Sequence, residues 1–271
     1  MEISSREKTI LDRIVEARRA SVAHRKRVLP DVALKLAAEK AGPPRDFPGA
    51  LVREGFNVIA ELKKASPSRG ILRENYVPAA LAASLEQAGT AALSVLTEEE
   101  FFSGSLGDLK EARKAVQIPV LRKDFIIDPW QVWEARAAGA DAFLLIAAVL
   151  GDQALAELLE LGRSLKMEPL VEVHTREELD RVIAAEACII GVNNRDLRDF
   201  KVRIETSLEL IEAIPENCIA VSESGLRTHE DLARLRQAGF DAFLVGEHLM
   251  KEADPAAPLR ALLQTTGRTA T

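Results

Sequence analysis

Three segments of this chain share one pattern: QAGTAAL around Gly89, AAGADAFLL around Gly139 and QAGFDAFLV around Gly239. In each, an amphipathic stretch runs up to the glycine and an apolar run follows it. A left-handed residue at that point ends a helix, and the next residues enter a strand. The glycines are separated by 50 and by 100 residues. At roughly 25 residues per strand–helix unit, these gaps equal two and four units. A chain that repeats such a unit builds a parallel sheet with helical crossovers.

The rest of the chain fits that repeat. Short apolar runs occur at Phe56–Leu62, Ala91–Leu96, Pro119–Arg122, Ala142–Ile146, Glu168–Val171, Cys188–Val192, Cys218–Val221 and Ala242–Val245. Several lack polar alternation, as strands buried on both faces do. Helix-length stretches separate them: Pro78–Ala88, Leu106–Val116, Pro129–Ala138, Gln153–Leu165, Arg176–Ala185, Ser207–Ile214, His229–Ala238 and Pro255–Leu263. The expected fold is α/β, a (β/α)₈ TIM barrel. A doubly wound open sheet is the rival, but it usually has fewer parallel strands and a crossover between halves. Residues 1–47 read as an N-terminal helical extension and 48–271 as the barrel. Within the extension, Thr9–Ala20 and Asp31–Lys40 have helical spacing, Asp31 is the expected cap, and GPPRDFPG breaks the second helix.

Composition narrows the partners. Of 271 residues, 47% are hydrophobic and 29% charged, with a net charge of −6. That is a folded globular chain without the basic excess that a phosphate backbone requires. The densest basic stretch, Arg18, Arg19, Arg25, Lys26 and Arg27, reads as a solvated helix face, with a place over the active-site mouth as the alternative. Cys188 and Cys218 sit in apolar runs and read as small buried hydrophobes. No apolar run nears membrane-spanning length and the N-terminus is too polar for a signal peptide, so a cytoplasmic location with no membrane partner is expected.

In a parallel barrel, chemistry collects where the strands end. The first run ends in ELKKASPSRG. Glu61 and Lys63 lie two apart and face the same side, and a charged pair at the crowded barrel top suggests catalysis. Ser66, Ser68 and Gly70 form a polar loop able to cover an anion. The third run ends at Lys123, suited to act as a general acid or to polarise a carbonyl. The fifth ends at Glu172, with His174 two residues on. The sixth ends at Asn193, which can donate to and accept from a hydroxyl, with Arg195 two beyond. The seventh supplies Glu223, and then Ser224 and Gly225 open a turn whose N–H groups can face an anion. After the eighth, Gly246 permits close approach and Glu247–Met250 looks like one helical turn. Loops after the last two strands form the recurrent phosphate site of such barrels, so a small phosphorylated anion is the expected substrate. With four histidines and no ligand spacing, no metal is expected. No GxGxxG follows the first strand and no GxxxxGK[ST] occurs, so cofactor-free acid–base chemistry is expected.

At these residues the sequence resembles the indole-3-glycerol-phosphate synthase family of tryptophan biosynthesis. The matching segments are IAELKKASPSRG, LSVLTEEEFFSGS, IPVLRKDFIID, VEVHT, IGVNNRDL, VSESGL and VGEHLM. The resemblance implies a carboxy-lyase that closes the ring of 1-(2-carboxyphenylamino)-1-deoxyribulose 5-phosphate, releasing carbon dioxide and water. It implies extra N-terminal helices packed over the barrel top. By the same resemblance, Lys123 is the general acid at the ribulose carbonyl, and Glu172 assists proton transfer and dehydration. Lys63 binds the substrate carboxylate and supplies a later proton. Glu61 and Glu223 orient the lysines and hydroxyls, and Asn193 holds a hydroxyl. Ser66 and Arg195 support the site, Phe102 lines the anthranilate pocket, and Ser224, Gly225, Gly246 and Glu247 present backbone amides to phosphate. Two positions depart from the family pattern: His248, where a small serine is usual, and Arg69, where lysine is also common.

The alternatives are another phosphosugar barrel enzyme, such as phosphoribosylanthranilate isomerase or a Schiff-base aldolase, and a non-catalytic barrel. The isomerase would be expected to use a cysteine and an aspartate at strand ends, and neither cysteine is so placed. Three carboxylates and two lysines at strand ends argue against a scaffold, which has no structural need of them. Oligomeric state is expected to be monomer or weak homodimer.

Overall fold

The computed structural model of the protein describes residues 8–196 and 201–264. The strands, in chain order, are β1 (Asn57–Leu62), β2 (Ala65–Ser66), β3 (Gly70–Ile71), β4 (Ala92–Leu96), β5 (Val120–Lys123), β6 (Ala142–Ile146), β7 (Leu170–Val173), β8 (Ile189–Asn193), β9 (Ile219–Glu223) and β10 (Ala242–Val245). β2 and β3 form a small antiparallel hairpin; the other eight strands close into a barrel in the order β1-β10-β9-β8-β7-β6-β5-β4. The barrel pairings are parallel throughout. The expected TIM barrel is therefore the observed fold.

Alternation along the strands builds two cores. Ile59, Ala92, Leu121, Leu144, Leu170, Ile189, Val221 and Leu244 fill the interior. Val58, Ala60, Val95, Phe143, Val171, Ile190, Ala220 and Phe243 face the helices. Because side chains alternate with period two, the inward positions nearer the C-terminal strand ends are those of Glu61, Lys123, Glu172, Asn193 and Glu223.

The helices are α1 (Ile10–Val28), α2 (Asp31–Lys40), α3 (Phe47–Leu51), α4 (Pro78–Gln87), α5 (Leu106–Ala115), α6 (Pro129–Ala138), α7 (Asp152–Ser164), α8 (Arg176–Ala184), α9 (Glu205–Leu210), α10 (His229–Ala238), α11 (Glu247–Met250) and α12 (Ala256–Leu263). Gly139 and Gly239 end α6 and α10 with φ of 89° and 118°, the left-handed geometry expected from the repeat.

The first helices surround the barrel. Ile14 and Val15 of α1 join the interior cluster, each burial contributing roughly 1.5–3 kcal/mol relative to exposure. The helix α2 packs on α6 along the outside. Arg136 then donates to the carbonyls of Ala41 and Gly42, and α3 places Phe47 and Leu51 against the interior cluster. Asn57, at the start of β1, donates to Leu51 O, so α3 closes the N-terminal end. Of these three helices, α1 alone lines the end where the chemistry collects.

Several boundaries differ from expectation. The first helix runs on to Val28, its last turn carrying Arg25, Lys26 and Arg27, which suit the negative end of the helix dipole. Pro30, not Asp31, holds the N-cap position of α2, and Asp31 is its first helical residue. The break at GPPRDFPG contains the short helix α3, capped by Asp46. The fifth barrel strand begins at Leu170 rather than Glu168, because Pro169 has no N–H for the ladder and Glu168 turns to Arg163, 3.2 Å away. Cys188 is exposed and Cys218 half-buried, contrary to the expectation of two core residues. Each precedes its strand by one residue, at the rim of the barrel, where Arg163 Nη2 lies 3.5 Å from Cys188 Sγ. No helix among the described residues is long and apolar enough to cross a membrane.

Candidate active site

A cavity of about 580 Å³ opens at the C-terminal strand ends. Glu61, Lys63, Ser66, Phe102, Lys123, Glu172, Asn193, Arg195, Glu223, Ser224, Gly225, Gly246 and Glu247 all line it. The strand register explains how residues so far apart in sequence meet: Ile146 pairs with Glu172, Asn193 with Glu223, and Leu96 with Lys123.

Lys123 stands between two carboxylates, its Nζ 3.0 Å from Glu172 Oε2 and 3.6 Å from Glu223 Oε2. Burial alone depresses an ammonium group, but Glu172, Glu223 and Glu61 outweigh it and raise the Lys123 pKa. Burial acts on Glu172 in the opposite sense, pushing its pKa up. The charges of Lys123 and His174, with hydrogen bonds from Lys123 and Asn193, overcome it and hold Glu172 below the ordinary value. For Glu223 burial prevails. Lys123 opposes it, Glu172 and Glu61 add to it, and the carboxyl is pushed up to about 8. Both Glu223 oxygens are buried without a hydrogen-bond partner among the described residues. The two carboxyl groups flanking Lys123 therefore differ in protonation near neutrality. The second lysine, Lys63, pairs with Glu61 at 2.7 Å.

Two glycines make room for these carboxyls. A Cβ on Gly191 would lie 2.2 Å from Glu223 Oε1, and one on Gly246 would lie 2.5 Å from Glu61 Oε1. Neither is a contact that real Cβ atoms show, so a side chain at either position must displace the acid opposite. The clearance at Gly246 is thus required by Glu61, a reason that sequence reading, which pointed to phosphate approach, did not supply.

Around the mouth, Ser224 and Gly225 take successive left-handed conformations with φ of 68° and 85°, beside Gly246 and α11. The Glu247 side chain holds Lys251 at 2.6 Å, Arg195 at 3.1 Å and Arg69 at 3.4 Å. Burial would raise the Glu247 pKa, but Lys251 and Arg195 keep it below the ordinary value. His248 also lines the cavity. Burial lowers its pKa, Glu252 opposes and Arg227 assists, so it adds little positive charge at neutral pH. Behind the strand ends, Asn194 donates to Ser222 Oγ at 3.1 Å and accepts from Ser207 Oγ at 2.8 Å, fixing β8 against β9 beneath the site. Arg195 N–H donates to Asn193 Oδ1 at 3.0 Å.

One wall is apolar. The Phe102 and Phe125 rings lie 6.1 Å apart at 38°, facing Ile10, Leu11 and Ile14 of α1. The Glu98 carboxylate accepts from the N–H groups of Phe101 at 2.7 Å and Phe102 at 3.1 Å, which fixes the Phe102 loop.

Sequence reading missed the ion network behind this wall. Arg18 is 2% exposed, 3.0 Å from Asp124 and 3.5 Å from Glu98. Asp124 also meets Arg122 Nη2 at 3.0 Å and Thr97 Oγ1 at 2.6 Å. Arg25 pairs with Glu134, and Lys26 with Asp128 at 2.9 Å. Arg18, Arg25 and Lys26 of the basic run therefore join the seam between α1 and the barrel, while Arg19 and Arg27 lie exposed, as expected of a solvated face. The seam's one sequence signal was a run of cations facing TEEEF and RKDF, visible only once the topology brings them together. His174 and Glu178 behind Glu172 were likewise not assigned. Among the described residues, no three His, Cys, Asp or Glu side chains are grouped to hold a metal ion.

The family model for indole-3-glycerol phosphate synthase matches residues 11–262. A relative of that name from Verminephrobacter eiseniae (strain EF01-2) is 48% identical over 262 residues, covering 93% of this chain and 98% of the relative. One from Chloroherpeton thalassium (strain ATCC 35110 / GB-78) is 51% identical over 246 residues, covering 89% and 95%. Among solved structures, 3-hexulose-6-phosphate synthase from Salmonella typhimurium superposes with a TM-score of 0.61 at 13% identity, covering 76% of this chain and 96% of that one. At that identity the likeness is one of fold.

Proposed function

The chain belongs to the indole-3-glycerol phosphate synthase family, and we propose from its cavity how it performs that family's reaction. The protein is a carbon–carbon lyase of tryptophan biosynthesis. It closes the ring of 1-(2-carboxyphenylamino)-1-deoxyribulose 5-phosphate, with loss of carbon dioxide and water, to give indole-3-glycerol phosphate.

The observation that carries the assignment of roles is the Lys123 ammonium, held 3.0 Å from an ionised Glu172 on the wall of the cavity. Attack of the ring carbon on the ribulose carbonyl develops an oxyanion. Lys123 donates a proton to it, because a charged donor in a site shielded from water stabilises such charge strongly. Departure of carbon dioxide restores the aromatic ring. Loss of the hydroxyl as water needs an acid and a base. Lys63 binds the substrate carboxylate and supplies the later proton, and Glu172 accepts one. Glu61 and Glu223 orient the lysines and the substrate hydroxyls, Asn193 holds a hydroxyl, and Ser66 and Arg195 support them. Phe102 receives the anthranilate ring on the apolar wall. Backbone amides of Ser224, Gly225, Gly246 and Glu247 hold the phosphate, with Arg69, Arg195 and Lys251 adding positive charge.

Residues 1–47 act as a helical extension packed on the barrel and 48–271 as its catalytic body. The protein works in the cytoplasm on a small phosphorylated anion, as a monomer or weak homodimer, without metal, nucleotide, nucleic acid or membrane. The test is incubation with the carboxyphenylamino-deoxyribulose phosphate in EDTA, without added cofactor. Indole fluorescence and released carbon dioxide are expected. A folded protein giving neither would overturn the reading.

A further inference from the structure

Glu172 has a nitrogen-bearing side chain on each side. Lys123 takes Oε2, and on the other side His174 brings Nε2 to 3.4 Å from Oε1. His174 does not line the cavity; it stands behind Glu172 with its side chain 11% exposed. Its own geometry is set by α8. Thr175 caps that helix by accepting from Glu178 N–H. The Glu178 carboxylate turns back one residue further than in an ordinary capping box. There it accepts the His174 backbone N–H at 2.7 Å and lies 3.3 Å from His174 Nδ1. A carboxylate at Nδ1 fixes that nitrogen as the donor and orients the ring. Nε2 has no hydrogen-bond partner among the described residues, and Glu172 Oε1 is the acceptor it faces.

We propose that His174 is a positioning residue for Glu172: Glu178 orients its imidazole through Nδ1, and Nε2–H holds Glu172 Oε1 while Lys123 holds Oε2. The titratable groups facing the ring are Glu172 on β7, Glu178 on α8 and Glu223 on β9. Burial opposes its charge, and these carboxylates together raise its pKa above the ordinary value. An imidazolium there keeps Glu172 ionised and fixes the plane in which it receives a proton. Together with Lys123, the larger influence, it holds the Glu172 carboxyl below the ordinary value against burial.

The inference rests on the proposed base role of Glu172, and two readouts separate them. The first is the pH profile of kcat/KM from pH 5 to 9. His174→Leu removes an opposite charge close to Glu172, so the acidic limb moves up by about one unit. Because Glu172 starts below the ordinary carboxylate value, the rate at pH 5 then falls by up to about threefold more than at pH 8. The plateau also falls about tenfold with the loss of a charge-assisted hydrogen bond. His174→Gln keeps a donor without the charge; it restores most of the plateau and leaves the limb displaced. A merely structural role would lower the rate in parallel at every pH, and an unmoved limb in both variants overturns the proposal. The second readout needs no turnover: ring-nitrogen chemical shifts of His174 by NMR. Its midpoint should lie above the ordinary 6.5 and fall in both Glu178→Gln and Glu172→Gln. A midpoint unmoved by Glu172→Gln overturns the proposal even if the synthase activity is present. A shifted midpoint in a protein without that activity leaves the His174 contact standing and removes the catalytic reading. Should His174→Leu fail to fold, Glu178→Gln and the NMR titration decide.

Discussion

Gly246→Ala separates two reasons for a glycine at the phosphate end of the site. The backbone there has φ of −127°, outside the left-handed region that favours glycine, and the substitution adds a methyl group. That carbon would be built 2.5 Å from Glu61 Oε1 and 3.0 Å from Glu61 Cβ. Non-bonded heavy atoms settle at roughly 3.5 Å or more, so the carboxyl must retreat by about 1 Å. Glu61 is buried and tied to Lys63 at 2.7 Å, and a retreat of that size breaks the pair. Misplacement of a catalytic group by about 1 Å costs on the order of 10²-fold in rate, or about 2.7 kcal/mol. The expected result in a steady-state fluorescence assay is a kcat lowered about 10²-fold with KM changed only a few-fold. In a Glu61→Ala background the carboxyl is gone and only the contact with the residue 61 Cβ at 3.0 Å remains. The methyl's further cost should shrink to less than about threefold, a coupling that a double-mutant cycle measures directly. A KM raised by one or two orders of magnitude with kcat preserved, and full additivity with Glu61→Ala, would refute the clearance argument and leave the glycine to the phosphate alone.

Lys123→Ala should lower kcat by at least about 10²-fold, as expected for loss of a positioned general acid, with KM little changed; near-normal kcat with a raised KM would remove Lys123 from the chemical step. Arg18→Ala leaves Asp124 without one of its two arginines in a buried setting, where breaking a pair costs about 3–5 kcal/mol. Thermal or denaturant unfolding should show a loss of that order, and a change under about 1 kcal/mol would mean that α1 is held by its apolar face alone. Glu223 gives a pH-dependent prediction. Its folded carboxyl titrates at about 8, above the ordinary value near 4.3 of an unfolded chain. Folding therefore favours the protonated form. That contribution is complete below the unfolded value and is lost as pH rises through the folded one. Glu223→Gln, which stays neutral, should gain more Tm over the parent at pH 9 than at pH 5; an equal difference at both pH values would show that Glu223 is ionised throughout.

Most of the barrel and the acid–base set could be read from the chain because both depend on short-range periodicity. Helix-ending glycines at regular intervals mark the units, and period-two alternation places Glu61, Glu172 and Glu223 inward once a strand is assigned. What escaped reading depends on contacts between distant segments. Arg18 looks like any basic residue of an amphipathic helix, and only the docking of α1 puts Asp124 and Glu98 against it. Gly246 reads as an invitation to a ligand, and only the barrel closure between β1 and β10 shows Glu61 filling the same space. Cys188 lies in an apolar run yet falls one residue outside its strand, where the rim opens to solvent. Strand boundaries moved for covalent reasons such as Pro169, which the sequence contains but whose effect depends on the ladder it would join.

The site also shows how one kind of side chain is put to two uses. Glu172 and Glu223 both flank Lys123 and both are buried, so burial alone predicts a raised pKa for each. They separate because of what lies on their far sides. Glu172 meets His174 and Asn193, a cation and an amide donor, and stays ionised. Glu223 meets the empty flank of Gly191 and the fields of Glu172 and Glu61, and holds its proton toward pH 8. Titratable groups pushed apart in this way can be put to different uses side by side, here a proposed base and an orienting carboxyl. Lys123 between them thus keeps one anionic and one neutral neighbour. Were both carboxyls ionised, Lys123 would be held more tightly and would surrender its proton less readily. The substitution at Gly191 that follows from this is Gly191→Ala, whose methyl would be built 2.2 Å from Glu223 Oε1. Displacing Glu223 should lower kcat at neutral pH while leaving the His174 titration, which depends mainly on Glu172 and Glu178, near its parent value. If Gly191→Ala shifted His174 as far as Glu172→Gln does, the two carboxyls would have to be treated as one coupled unit rather than as a separate acid and base.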